Sequence, residues 1–367
     1  MTLYERVGCI HIHSRYSDGS AEPSRIVQFA SRAGLDYIVL TDHNTYQPQH
    51  EGWYGSTLLL VGEELHNPER PHANHYLALN AGADMLAHVD NTQGLIDAVR
   101  AGGGLGFIAH PFEHSGEMAN EPEINWLDWD AAGYTGLELW NYMSEFKSYV
   151  TSPIMALLYA FWPKLAMTGP YPETLAQWDA LQAQRPVVAI AGVDAHAGVY
   201  HLGPLARQVF SYEHLFRSLT THVLLPAPWS GDAAADGQML YAALGGGKAF
   251  LAYDGLAAAK GFAFNAQQGD KTYSLGDEFL AHGPVRLSVH SPAPARLRLL
   301  LNGFCLAESQ GVELDYTAHA PGVYRVEAYR RYAGKWRNWV LTNAIRVCTE
   351  PRVASRARVR GREVVRE

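Results

Sequence analysis

The sequence is poor in cysteine, and the three it has (Cys9, Cys305 and Cys348) stand far apart. Neither a disulfide framework nor a thiolate zinc site has that spacing, so a reducing, cytoplasmic setting is expected. Long apolar runs are missing too. A membrane-spanning helix takes about 18 uncharged apolar residues, and the nearest stretch, residues 153–162, falls well short. The first six residues have no cationic start leading into an apolar segment, so no export signal is expected. Positive charge is in deficit: 29 Lys+Arg against 37 Asp+Glu leave a net charge of -8. That balance argues against nucleic acid or an anionic membrane as partner and favours a small-molecule substrate. With 47% hydrophobic and 18% charged residues, disorder and fibrous repeats are excluded as overall descriptions.

What the sequence does have is histidine. Of 17 in all, twelve lie within the first 201 residues.

At roughly 150 residues per domain, 367 residues suggest two domains. Through about residue 250, short apolar runs alternate with helix-like segments. Strands are expected at 7–13, 36–41, 57–65, 75–80, 105–109, 136–140 and 186–193. Helices are expected at 22–33, with Ser20 as N-cap and Gly34 as stop, and at 93–101. Such alternation implies parallel pairing through crossovers, hence an α/β layered or barrel architecture with its chemistry on loops at strand ends. Beyond Tyr253 the pattern turns to period two at 285–289, 296–299 and 323–328, with turn signals at Asn302-Gly303 and Pro321-Gly322. This reads as an antiparallel β-domain of the sandwich kind. The expected division is a barrel over 1–255, the β-domain over 256–349 and an Arg-rich flexible tail over 350–367.

Successive strand ends carry metal-capable residues: His11-Ile12-His13 with Asp18 following, Asp42-His43, Glu63-Glu64 with His66, His75, His110, and Asp194-Ala195-His196. Residues two apart on a strand share a face, so His11 and His13 can converge on one cation. Glu63 and Glu64 cannot share a face, so at most one is a ligand. Asp42 alone reads as a cap or as a partner for a histidine. Taken together, so many buried donors require pairing or coordination. An all-N/O donor set favours Zn, Mn or Fe, and more donors than one cation needs imply two or three divalent ions.

His11-x-His13 with Asp18, Asp42-His43, Gly62-x-Glu64, His75, His110-Pro111 and Asp194-x-His196 resemble, in order, the motif series of the PHP (polymerase and histidinol phosphatase) superfamily. The resemblance implies a distorted (β/α)7 barrel carrying a metal cluster. It implies His11, His13 and Asp194 at a first metal, with Glu64 bridging to a second that His75 and His110 complete. Asp18, His43 and His196 would hold a third. Many members of that family have a histidine where Asp18 stands. Residues 138–141 and the β-domain are similar to the branch that includes carbamate-cleaving enzymes.

The expected activity is a metal-dependent phosphoesterase, in which the cations lower the pKa of water and stabilise charge on a small phosphate ester. Asp194, His196 and Glu64 are the expected catalytic residues. Arg15, Arg207 and His201 are candidates for substrate binding, and His114 or His201 for protonating the leaving group. The alternatives are an amide, carbamate or carboxylic ester hydrolase on the same scaffold, or a metal-binding module without catalysis. The aromatics Tyr142, Tyr149, Phe161 and Trp162 read as core packing of an insertion or as a rim for an organic substrate. Residues 245–250 read as a helix terminus, since they lack P-loop spacing.

Overall fold

The computed structural model describes residues 2–116, 122–202 and 205–350, with backbone alone over 199–202 and 205–207. Residues 4–195 close a ring of seven strands. These are β1 (Tyr4–Ile12), β2 (Tyr37–Leu40), then, past the short β3 (Gly52–Tyr54), β4 (Thr57–Leu65), β5 (Tyr76–Leu79), β6 (Leu105–Ile108), β7 (Gly136–Asn141) and β8 (Val188–Ala195). Pairing runs β1–β2–β4–β5–β6–β7–β8 and back to β1. All of these pairs are parallel except those on either side of β5, which is antiparallel to both β4 and β6. The expectation of parallel pairing throughout is therefore corrected at one strand, and the reason is the missing crossover helix. Ten residues separate β4 from β5, too few for one, so β5 returns directly.

Helices flank the ring unevenly. Pro23–Ala33 links β1 to β2, Thr92–Ala101 precedes β6, and three helices (Tyr142–Tyr149, Pro153–Phe161, Pro172–Gln184) fill the connection from β7 to β8. The first helix ends at Gly34 in the left-handed conformation (φ 84°), as its glycine suggests. It starts differently from the expectation: Glu22 is the N-cap with no side-chain bond, and Pro23 supplies the fixed φ of the first turn, so Ser20 has no capping role.

Pleating sets what faces inward. Leu58 and Leu60 lead toward Glu64, Leu79 and Leu77 toward His75, and Val188 and Ile190 toward Asp194, each at two-residue spacing. These six apolar residues belong to one buried cluster with Ile10, Tyr37, Val39 and Phe107. The barrel is thus packed with hydrocarbon along the same faces that end in polar donors.

After the ring, β9 (Val199–Leu202) and β10 (Leu205–Gln208) form a hairpin, and β11 (Leu219–Leu225) and β12 (Ala249–Tyr253) extend the sheet from β1. From Ala263 to Cys348 the elements are all strands. Two hairpins there use Asn302-Gly303 and Ala333-Gly334, all four at positive φ, the type I′ geometry that suits twisted strands. This β-region is bonded to the barrel side by main-chain pairing of β12 with Lys335–Thr342. It is also held by Arg325, whose guanidinium grips Asp179 at 2.9 and 2.8 Å and Glu327 at 2.7 Å. Residues 351–367, the expected Arg-rich tail, lie outside the described residues. Among the described residues no helix is long and apolar enough to cross a membrane. Residues 245–248 are a helix terminus as expected, and Lys248 Nζ faces Asp277 at 2.6 Å.

Away from the histidine-rich end, buried His222 lies between Glu5 (2.6 Å) and Asp254 (3.0 Å). Glu5 and Asp254 also accept the amides of Gly261 and Ala259, so the trio fastens β1, β11 and the segment entering the β-region. Burial alone would lower the His222 pKa, but Asp254 and Glu5 outweigh it and raise it. A raised folded pKa means the stabilisation is complete below the unfolded value of about 6.5 and fades as pH climbs through the folded one. His222→Gln should therefore cost about 3 kcal/mol at pH 6 by denaturant unfolding, and less at alkaline pH. A difference that grows with pH contradicts this.

Candidate metal centre

Every strand of the ring except β7 contributes a candidate metal donor at one end of the barrel, and β7 supplies Glu138 behind them. Because β5 runs backwards, His75 sits at its start and still reaches the end where the other strands finish. His11 and His13 follow one another with ring centroids 5.2 Å apart. Their convergence was anticipated from strand alternation, but the local geometry is different. His11 has φ 67°, and the β1–β8 register shifts around it, so an irregularity turns His11 inward. His110 (φ 24°) and Asp194 (φ 52°) are also left-handed without being glycine. Such backbone is held only where surrounding contacts fix it, and it collects at functional sites.

Glu64 is the hub. Its Oε2 lies 3.0 Å from His11 Nε2, 3.3 Å from His13 Nε2 and 3.1 Å from His43 Nδ1. Its Oε1 lies 2.7 Å from His75 Nδ1 and 3.1 Å from His110 Nε2. Asp194 Oδ1 is 3.3 Å from His13 Nε2 and 3.5 Å from His11 Nε2. At the mouth Asp18, about half exposed, faces His196 Nε2 (3.2 Å), His43 Nε2 (3.6 Å) and His13 Nδ1 (3.7 Å). Four overlapping groups have donor atoms within 4.8 Å of one another: His11-His13-Asp194, His11-Glu64-His110, His13-Asp18-His43-His196 and His43-His66-His75. All nine anticipated donors are brought together.

Whether these donors suit cations can be read from their tautomers. A backbone carbonyl only accepts, so the 2.9 Å contact to Pro71 O places a hydrogen on His75 Nε2. In the neutral ring the Nδ1 lone pair then faces the Glu64 carboxylate at 2.7 Å. His196 repeats the arrangement, with Nδ1 donating to Asp194 O (3.0 Å) and Nε2 aimed at Asp18. His11 Nδ1 donates to Glu138 Oε1 (2.7 Å), leaving Nε2 toward Glu64. Lone pairs aimed at carboxylate oxygens repel unless positive charge lies between them. Both ring nitrogens of fully buried His13, and Nδ1 of His43 and His110, lack hydrogen-bond partners. The donor set fits divalent cations. Without one, protons supply the charge. Burial would lower the His13 and His110 pKa values, but Asp194 and Glu64 at His13, and Glu64 with Glu113 at His110, raise both to about 9. His43 goes the other way, lowered to about 3 by burial and by His13 and His75.

The paired glutamates separate as alternation requires. Glu63 points to the opposite face, accepts the Met85 amide at 3.0 Å, and burial raises its pKa to about 7. Asp42 is not a partner of a histidine. It accepts the Ser14 amide (2.6 Å) and the hydroxyls of Ser14 and Ser17 (both 2.7 Å), which sets the loop carrying Asp18.

Two residues at the centre were absent from the anticipated donor set. Glu138, fully buried, holds His11 with one oxygen and the His110 amide (2.7 Å) with the other, and Asn141 Nδ2 donates to it at 3.0 Å. Gly192 makes room for it, since a Cβ there would stand 1.5 Å from Glu138 Oε1. The buried acid in a β-strand facing the His11 strand end was the available signal. His66 stacks on His75 (4.5 Å, 10° between planes) with Nδ1 buried and unpartnered. Nearly parallel rings do not both point in-plane lone pairs at one ion, so His66 is a neighbour of the centre and not a co-ligand with His75 in this arrangement.

The other expected residues lie further out. Arg15 is exposed and faces Glu22 at 2.5 Å, and His114 pairs with Glu173 at 2.6 Å. The side chains of His201 and Arg207 lie outside the described residues. Of the insertion aromatics, Tyr142 is buried and Tyr149 half-buried in the core, whereas Phe161 and Trp162 are exposed.

No family model matches the sequence, and no curated protein does. Among solved structures, the chain is similar to a two-domain Bacteroides vulgatus protein described as containing a predicted PHP-like metal-dependent phosphoesterase. That likeness has 15% identity and TM-score 0.44, and covers 93% of this chain and 95% of the other. It is also similar to a Bifidobacterium adolescentis protein described as a metal-dependent phosphoesterase (17% identity, TM-score 0.34), covering 52% of this chain and 87% of that one. An amidohydrolase from Chromobacterium violaceum with bound sulfate gives 15% identity, TM-score 0.30 and the same coverage. No activity passes to this chain from likeness at that level.

Glu138→Gln keeps the shape and removes the charge that fixes His11. Partners of this kind are worth 10–100-fold in metal affinity, so competition with a chromophoric chelator should show a loss of about that size. Unchanged affinity would remove Glu138 from the account.

Proposed function

We propose that the chain is a metal-dependent phosphoesterase of the PHP type that hydrolyses a small phosphate ester. The observation that carries this reading is the set of imidazole lone pairs held against Glu64, Asp194 and Asp18 by acceptors on their far side. His11, His13 and Asp194 would hold a first cation, Glu64 would bridge it to a second with His75 and His110, and Asp18, His43 and His196 would hold a third. Zn, Mn or Fe suits the hard N/O donors. Bound there, such ions supply Lewis acidity, lower the pKa of water and offset charge on a phosphoryl group.

The chain's own groups do the positioning. Glu138 retains the proton on His11 Nδ1, Pro71 O that on His75 Nε2, and Asp194 O that on His196 Nδ1, so these three neutral rings turn a lone pair toward the cluster. The hydrocarbon packed along the barrel faces keeps bulk water from the inner donors, while half-exposed Asp18 leaves the outer side open to substrate. A phosphoryl group brings more negative charge than a carbonyl, which suits a cluster built for several cations. Residues 1–255 would carry the chemistry, and 256–349 would brace the β7–β8 helices through Asp179.

His11→Ala combined with His13→Ala should abolish turnover and lower metal content by elemental analysis, while the β-region stays folded. Retention of full activity would refute the first-metal assignment. With Mn or Zn supplied, release of 4-nitrophenol is expected from phosphate ester analogues. Release from the carboxyl ester alone would overturn the phosphoesterase reading in favour of a carbonyl hydrolase.

A further inference from the structure

Beside the centre, past His66, a cleft open to solvent is lined by His66, Asn67, Arg70, Asn74, Asp90 and Thr92 among others. Most of its polar groups are engaged. Asn74 Nδ2 and Thr92 Oγ1 donate to Asp128 at 2.8 and 2.5 Å, and Asn67 Nδ2 donates to Asp90 at 3.2 Å. Among the described residues two have no partner: the Nδ1 of His66 and the guanidinium of Arg70. Arg70 is unusual in this. The other arginines up to residue 255 whose side chains are described (Arg6, Arg15, Arg25, Arg32, Arg100, Arg185 and Arg217) all have an acidic, amide or carbonyl partner.

Arg70 also has a fixed base. Its turn is closed by Arg70 N to Asn67 O (2.8 Å) and Ala73 N to Arg70 O (3.1 Å). The next residue, Pro71, offers the carbonyl that orients the metal-type donor His75. The backbone that presents Arg70 is therefore tied by one hydrogen bond to the centre itself. Arg70 is the one lysine or arginine among the residues lining the cleft, its side chain is exposed, and its backbone is thereby held at a defined place beside the centre.

We propose that this cleft is a specificity subsite in which Arg70 binds a second acidic group of the substrate, a carboxylate or a phosphate, while the scissile phosphoryl lies at the histidine-carboxylate cluster. This rests on the phosphoesterase reading and narrows its substrate class to small phosphate esters with an acid at the far end. A guanidinium fork matches either anion with two parallel hydrogen bonds, which an ammonium does not. Asp90, engaged by Asn67, also lines the cleft and keeps an anion away from its own part of it.

The test is equilibrium binding by calorimetry to the metal-loaded full chain, using 2-carboxyethyl phosphate, propane-1,3-diyl bisphosphate and propyl phosphate. The wild type should bind at least one of the two diacids at least 10-fold more tightly than propyl phosphate, and which one identifies the acid. In Arg70→Gln the ratio should fall to about 1, with Arg70→Lys in between and metal content unchanged. No preference in the wild type, or a preference that survives Arg70→Gln, overturns the subsite. Turnover of the three esters is read separately: hydrolysis of none of them bears on the phosphoesterase reading, whereas the binding ratio bears on Arg70.

Discussion

A carboxylate enclosed by five imidazole nitrogens is the constraint on which this structure turns. Glu64 has about four lone-pair directions to offer, and His11, His13, His43, His75 and His110 all approach it within 3.3 Å. Two of those rings, His11 and His75, have their hydrogen committed elsewhere. Such a cluster is stable only if positive charge sits inside it, and divalent cations supply that charge without a proton on every ring. The left-handed backbone at His11, His110 and Asp194 and the tight clearance at Gly192 are local strains that this arrangement requires.

The barrel serves this constraint by aligning seven strand ends. Five of its strands deliver donors as they finish, the reversed β5 delivers His75 as it begins, and β7 supplies Glu138 behind them. Behind the donors, alternate positions are leucine, valine and isoleucine, so one pleat face changes from hydrocarbon to metal-type chemistry along its length. The second layer of contacts is as specific as the first. Glu138, Pro71 O and Asp194 O each select one tautomer, and Asp42 shapes the loop that carries Asp18 to the mouth.

Much of the centre was legible in the sequence because ligand chemistry restricts residue type and strand ends restrict position. All nine side chains that converge there could be named, and the split between Glu63 and Glu64 followed from period-two alternation. What stayed hidden depends on contacts between distant segments. The direction of β5 is set by a short connection and not by its own residues. Asp42 carries no mark telling a serine partner from a histidine partner. His66 looks like one more strand-end ligand until its stacking on His75 is known, and Arg70 looks like any surface arginine until the cleft beside it is seen. In the β-region, Asn302-Gly303 announced its hairpin, whereas the pairing of β12 with Lys335–Thr342 spans too great a separation to be read locally.

Anomalous diffraction from crystals grown with Zn or Mn tests the central claim most directly. Peaks are expected between Glu64 and the rings of His11, His13, His75 and His110, with Asp194 beside the first of them. Density showing those rings hydrogen-bonded directly to Glu64, with the anomalous signal absent or located elsewhere, would contradict it.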